Sequence, residues 1–335
     1  MDFTTLITQS TLLGQTEWHN IQTHISSVFI GQDKVIKIKK PVDFGFVNYQ
    51  TLEARKHFCQ LEVTLNSRLS SGIYLEATPL QWDGAALCLH SPLAPIVEWA
   101  VIMERIPDQA LLQNVLHTAT APGALIEQVA SRLTTFYRTL PPTPSLGIYG
   151  TTAELFPKTS ANFDVLAAHR GSEVDQILLT TLHDTTDAFY RRYATALDER
   201  ASKGKIVDGH GDLRLEHLCQ LGGTIHAIDA LEFSIPLRSV DPICDLAFLS
   251  MDLAFHGWHE LARVLEEHSA KHLNEAAAAP TLFAFYKVYR ALVRAKVESL
   301  TMQSLAADTT AYQHAATRLQ RYIELAATYI RAWPL

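Results

Sequence analysis

The 335-residue chain is 47% hydrophobic and 19% charged, enough apolar material for a sizeable core, which excludes a disordered or fibrous protein. Its length suits about two domains or lobes. A formal net charge of -7 with no long Lys/Arg block excludes a general nucleic-acid binder, and it would not repel a cationic small molecule.

The stretch from Met1 to Gly14 is uncharged apart from Asp2 and lacks the basic and apolar regions of a signal peptide. No apolar run reaches the ~18 residues of a membrane-spanning helix. The four cysteines, Cys59, Cys88, Cys219 and Cys244, are far apart and form no CxxC. Neither a disulfide framework nor structural zinc is expected of them. Scattered reduced thiols fit the cytoplasm, and the charge and hydropathy patterns lead us to expect neither a nucleic-acid nor a membrane partner.

In chain order, Ile21–Ile30 reads as a strand ending at the turn residues Gly31 to Asp33. Lys34–Lys40 alternates, with Val35, Lys37 and Lys39 on one face and Ile36 and Ile38 on the other. The two segments form a predicted β-hairpin, stopped by Pro41. A helix follows over Thr51–Leu69, with Thr51 as N-cap and Phe58, Leu61, Leu65 and Leu69 as its apolar stripe. Further strands are expected near Ile73–Pro79, Ala85–His90 and Trp99–Arg105. The chain then turns helical, with helices over Ala124–Leu140 and Val174–Lys203, a strand-rich island over Lys205–Phe233, and helices at Asp241–Ala254, Trp258–Ala277, Pro280–Ser304 and Thr309–Ala332. Arg290, Arg294 and Lys296 read mostly as surface charges of the Pro280 helix. The layout is α+β: a small β-rich lobe over residues 1–105 and a larger helical lobe over residues 106–335.

The chemistry concentrates between Asp208 and Asp245. His210-Gly211-Asp212 is followed by His217 five residues after Asp212, and by Asp229 seventeen residues after it. Gly222-Gly223 marks a hairpin turn between the two carboxylates, so both can converge on one site. Phosphoryl transfer from a nucleotide needs such a pair. One carboxylate takes the acceptor hydroxyl's proton, and the other, with a residue five positions after the first, holds a metal on the phosphates.

With these residues the sequence resembles the aminoglycoside phosphotransferase-like kinases, which share the protein-kinase-like fold. It most resembles a bacterial branch often fused to a P-loop ATPase domain. The resemblance is carried by Thr23–Ser26, Val35–Phe46, Leu61–Val63, His210–Leu213, Ile228–Phe233, Asp245–Leu253 and Arg290–Val297, and it spans about residues 20–300. No GxxxxGK[ST] is present, so the resemblance implies that any such ATPase is a separate partner.

The resemblance implies a two-lobed, ATP- or GTP-dependent enzyme using Mg²⁺ or Mn²⁺ on a small hydroxylated acceptor, cationic acceptors included. Asp212 matches the catalytic base and Asp229 the metal-binding Asp. Lys37 matches the phosphate-gripping lysine and Glu62 its ion-pair partner, with Lys39 a competing choice on the same strand face. Met103 and Arg105 fall in the connector that holds adenine. Ser26 falls in the hairpin that takes the place of a Gly-rich phosphate loop. His210 and Asp245 match supports of the catalytic loop, while Arg214 and Glu232 are candidate substrate or metal contacts.

His217 departs from the pattern, because kinases usually have Asn there. A neutral imidazole suits Mn²⁺ better than Mg²⁺, or water takes the ligand position instead. Asp43-Phe44-Gly45 spells DFG but precedes the catalytic loop, so it cannot play the DFG role. The competing function is a nucleotide-binding pseudokinase or regulatory scaffold without efficient transfer.

Overall fold

The computed structural model describes residues 3–45, 47–169, 176–331 and 333. Packing divides the chain into two compact units. One holds residues 1–117 together with 216–235, and the other holds 118–215 together with 236–335.

The first unit opens with a short helix, α1 (Phe3–Thr8), and is built on a six-stranded antiparallel sheet. Its strands are β1 (His19–Gln22), β2 (Ser26–Ile30), β3 (Lys34–Lys39), β4 (Tyr74–Trp82), β5 (Leu87–Leu89) and β6 (Ile96–Glu104), in the order β1-β2-β3-β6-β4-β5. The segment Ile21–Ile30 is therefore two strands rather than the single one expected. Thr23 closes the turn between them: its N–H donates to Ser26 O at 2.9 Å, and its Oγ1 accepts from Ser26 N at 2.9 Å. A hydroxyl that bonds nearby backbone makes a turn without Gly or Pro, which hydrophobic patterning does not register.

The two faces expected of β3 are found, with Lys37 and Lys39 together on one side. Ile36 and Ile38 enter a core with Phe29, Leu80, Ala100 and Ile102. The opposite face is not solvated, because Val35 and Lys39 are also buried. A strand paired on both edges and covered on both faces buries even its charged positions. Pro79 lies inside β4 rather than ending it. Its missing N–H is tolerated because β5 pairs with β4 only from Leu80 onward.

Helix α2 (Leu52–Asn66) follows β3, and Thr51 is its N-cap, accepting from Ala54 N at 3.1 Å. Asp43 makes a local turn, accepting from Gly45 N and Asn48 Nδ2.

Beyond the sheet come α3 (Leu112–Thr118), α4 (Pro122–Thr139), α5 (Thr152–Ala167), α6 (Gln176–Ser202) and strand β7 (Val207–Asp208). Neither α3 nor α5 was expected; Pro157 inside α5 reads as a breaker in sequence, yet the helix continues through it. The hairpin β8 (Leu218–Leu221) and β9 (Thr224–Ala227) turns at Gly222 and Gly223, both with positive φ, and belongs to the first unit. The Cys219 side chain packs with Cys59, Ile73, Tyr74 and Val101.

The second unit ends with α7 (Ile235–Arg238), β10 (Ser239–Val240), α8 (Pro242–Phe255), α9 (His259–His272), α10 (Ala279–Gln303) and α11 (Thr310–Ile330). Every residue of α8 from Ile243 to Phe255 is buried, as befits a central helix apolar on nearly all sides. Phe255 stacks on Tyr322 of α11 at 4.0 Å, and Phe189 of α6 stacks on Phe285 of α10 at 4.3 Å. Among the described residues, no helix is long and apolar enough to cross a membrane.

Candidate functional site

In the first unit, β3, α2 and the segment after β9 bring the predicted nucleotide and metal residues together. Lys37 Nζ lies 2.7 Å from Glu62 Oε1 and 2.8 Å from Asp229 Oδ1. Lys39, the competing choice, sits on the same strand face but deeper. It is fully buried, donates to Glu62 Oε2 at 2.7 Å, and makes a short contact with Glu232 Oε1. Glu62 therefore offers one oxygen to each lysine.

Burial opposes the charge on both lysines, but the carboxylates outweigh it. Asp229 and Glu62 raise the Lys37 pKa, and Glu232 and Glu62 raise that of Lys39. Burial likewise pushes the Glu62 pKa up, and Lys37 and Lys39 together bring it below the ordinary glutamate value. Two lysines face three carboxylates here, so the cluster carries one negative charge in excess. A divalent cation would offset that charge.

Asp229 supplies the exposed end of the cluster, with its side chain 47% accessible. Its Oδ2 is 3.8 Å from His217 Nε2, and Ile228 N donates to His217 O at 2.9 Å. The hairpin thus sets the imidazole and the carboxylate side by side. Among the described residues no group of three or more His, Cys, Asp or Glu side chains gathers around this pair to hold a metal ion.

The segment from Asp229 to Glu232 is held by residues that sequence reasoning missed. Asp229 has φ +61°, in the left-handed region. Its N–H donates to Tyr74 OH at 3.0 Å, and Ala230 N donates to Asn66 Oδ1 at 2.8 Å. Asn66 Nδ2 in turn donates to the Glu62 backbone O at 2.8 Å. Glu232 does not face outward as a substrate or metal contact would. It is buried, and its Oε1 accepts from Tyr49 OH at 2.6 Å as well as from Lys39.

The other expected nucleotide contacts fall as follows. Ser26 is buried on β2 opposite Lys39, and its Oγ finds no hydrogen-bond partner among the described residues. Met103 pairs with Val35 and Tyr74 across the sheet and packs against the core around Cys59. Both groups of Arg105 are committed to the β2–β3 turn: its N–H donates to Asp33 O at 2.8 Å and its Nη1 to Gly31 O at 2.9 Å.

The segment His210–Asp212, expected to be the catalytic loop, lies in the second unit. Asp245, wholly buried on α8, accepts from His210 N at 2.8 Å, Gly211 N at 3.1 Å and Tyr137 OH at 2.9 Å. Arg290 donates to Gly211 O at 3.0 Å, approaches Asp245 at 3.4 Å and stacks on Phe248 at 4.6 Å. It is buried, so its reading as a surface charge is wrong. On a helix packed on several sides, a guanidinium can turn inward wherever a carboxylate and a carbonyl await it.

His210 is also buried, and its Nδ1 accepts from Asp212 N at 3.3 Å. Gly209 admits no larger residue, since a Cβ there would lie 2.6 Å from Val240 Cγ2 and 2.7 Å from Asp245 Oδ2. Asp212 itself is partly exposed and clamped by Arg214, with Nε 3.1 Å from Oδ1 and Nη2 3.0 Å from Oδ2. Arg214 therefore addresses the candidate base directly. Leu215 N, just beyond, donates to buried Asp252 at 2.9 Å.

No family model matches the chain. Uncharacterised proteins of Mycobacterium bovis and Mycobacterium tuberculosis are 29% identical over 310 residues, covering 89% of this chain and 60% of theirs. Similar solved structures are small-molecule kinases. A choline/ethanolamine kinase family protein from Mesorhizobium loti has a TM-score of 0.51 at 15% identity, covering 98% of this chain and 97% of its own. Aminoglycoside 2'-phosphotransferase-IIIa, in its GDP complex, has a TM-score of 0.55 at 12% identity, covering 96% and 97%. Amicoumacin kinase, in complex with AMP-PNP, Ca²⁺ and Ami, has a TM-score of 0.57 at 14% identity, covering 100% and 96%. The fold is the protein-kinase-like fold of these phosphotransferases. The α+β expectation thus holds, with a small antiparallel sheet and a larger helical part.

Proposed function

We propose that this chain is a phosphotransferase that moves the γ-phosphate of ATP or GTP to a hydroxyl of a small molecule. The observation that carries the reading is Lys37, held between Glu62 at 2.7 Å and Asp229 at 2.8 Å. In a nucleotide complex, Lys37 grips phosphate oxygens while Glu62 keeps it charged and aimed. Asp229 and His217 are the residues that would hold Mg²⁺ or Mn²⁺, and the bound ion neutralises phosphate charge. Ser26, Met103 and Arg105 stay in the proposal as residues that shape the nucleotide site. Residues 1–105 form its nucleotide lobe and residues 106–335 its catalytic lobe.

Asp212 accepts or orients the acceptor's proton, a role worth about 10²–10⁴ in rate. His210, Asp245 and Arg290 hold its loop in shape. Arg214 keeps the Asp212 carboxylate oriented. Alignment and charge neutralisation supply the larger share of the acceleration. The acceptor is a small hydroxylated molecule, and a separate P-loop ATPase is the partner this reading allows. We place the enzyme in the cytoplasm. The second reading, nucleotide binding without efficient transfer, draws on Arg214 engaging both oxygens of Asp212.

Calorimetric titration of ATP and GTP, with and without Mg²⁺ or Mn²⁺, tests the reading on wild type and Asp229→Ala. Metal-dependent binding that disappears in the variant supports the site. No nucleotide binding under any metal overturns it.

A further inference from the structure

We propose that Lys39 is a positioning residue that pins the Asp229–Glu232 segment, and so presents Asp229 to the metal; this rests on the phosphotransferase reading. Lys39 is 1% exposed, so its ammonium group does not meet a phosphate in solution. What it meets is protein. It donates to Glu62 Oε2 and to Glu232 Oε1, and its Nζ sits 4.9 Å from the centre of the Tyr49 ring. Tyr49 is itself wholly buried and donates its hydroxyl to the same Glu232 oxygen. Glu232 is thereby fastened from two elements.

This fastening matters because of what lies three residues before it. A left-handed φ is uncommon at a non-glycine residue, though Asp tolerates it better than most, and bonds to the backbone on either side help to hold it. Asp229 is such a residue, at +61°. Tyr74 fixes its N–H, Asn66 fixes the next one, and Lys39 with Tyr49 fixes the end of the segment at Glu232. Lys39 is the charged member of this set. It also holds the Glu62 carboxylate by one oxygen, leaving the other aimed at Lys37. The two lysines thus divide the work: Lys37 addresses the nucleotide, and Lys39 sets the geometry of the acids around it.

The test uses the full chain and two variants, Lys39→Met and Glu232→Gln. The milder Glu232→Gln keeps the experiment decisive if Lys39→Met does not fold. Hydrogen exchange of the apo protein reads the brace itself. Amides of Asp229 and Ala230 should exchange about tenfold faster in the variants while β3 and β6 keep their protection. Titration with ATP reads the consequence. Affinity in the presence of Mn²⁺ should fall about tenfold while metal-free affinity stays within about twofold, a split that general loosening would not produce.

Unchanged exchange at Asp229 and Ala230 overturns the brace, whatever the nucleotide does. Faster exchange with unchanged Mn²⁺-dependent affinity overturns the positioning role. A wild type that binds no nucleotide under any metal overturns the phosphotransferase reading and the positioning role together, while exchange still decides the brace.

Discussion

The Nζ of Lys37 lies 2.8 Å from Oδ1 of Asp229, a residue 192 positions further along the chain. Strand β3 delivers the lysine and the β8–β9 hairpin delivers the carboxylate. Their partnership depends on the tertiary fold, and it organises the rest of the cluster.

Removing either end of that contact should separate metal from nucleotide binding. Asp229→Ala should lose the Mg²⁺ or Mn²⁺ dependence of ATP binding. Lys37→Met should weaken binding about tenfold or more whatever the metal. Calorimetry on both variants checks this, and identical behaviour of the two would show that they do not play separate roles.

His217→Asn should keep nucleotide binding and shift the metal preference from Mn²⁺ toward Mg²⁺, because an amide oxygen is the harder ligand. Competition between the two ions in the same titration reads the shift. An unmoved preference would mean that the imidazole is not a ligand.

Asp212→Ala should abolish phosphoryl transfer while leaving nucleotide affinity within about twofold, as expected of a base that acts on the acceptor. Nucleotide turnover with a panel of aminoglycosides, sugars and amino alcohols measures the first effect, and calorimetry the second. Loss of nucleotide binding in this variant would move Asp212 out of the base role.

Gly209→Ala should damage the His210–Asp212 loop without touching the Asp212 carboxylate. The added methyl would press on Asp245 Oδ2 and Val240 Cγ2 at under 3 Å. Asp245 would then lose its grip on the His210 and Gly211 amides. We expect a loss of about 1–3 kcal/mol in thermal unfolding, together with lowered turnover.

The buried cluster should make the first unit sensitive to acid. The Glu62 pKa lies below its ordinary value of 4.5 in the folded chain, because Lys37 and Lys39 outweigh its burial. A carboxylate whose folded pKa is depressed stabilises the fold above its unfolded pKa, and that stability is lost as pH falls through the folded one. Stability should therefore hold down to about pH 4.5 and decline below it. Lys37 and Lys39 have raised values, so their contribution is full below 10.5 and is lost only at still higher pH. Glu62→Gln should cost about 1–3 kcal/mol at neutral pH, since each lysine loses one carboxylate partner while Lys37 keeps Asp229 and Lys39 keeps Glu232. It should also flatten the acid limb in pH-dependent denaturation.

Much of this protein was legible in its residues alone. Local chemistry marks Thr51 as an N-cap, Gly222-Gly223 as a hairpin turn and the long amphipathic helices as helices, because each depends on neighbours a few positions away. The spacing of His210, Asp212, His217 and Asp229 likewise pointed to one kind of chemistry, since a hairpin of fixed length joins the last two. Short-range patterning failed where a residue's surroundings come from far along the chain. It left Lys37 and Lys39 as rivals, because both occupy one strand face; burial by distant Glu232 and Tyr49 gave them different partners. It placed Arg290 on the surface, although Asp245 and Gly211 hold it inside. It passed over Tyr74 and Asn66, ordinary residues in sequence that bind the backbone of Asp229 and Ala230. A side chain's type and spacing limit what it can do, but which charge it meets and how far it is desolvated are set by packing between segments. Only the tertiary structure decides those.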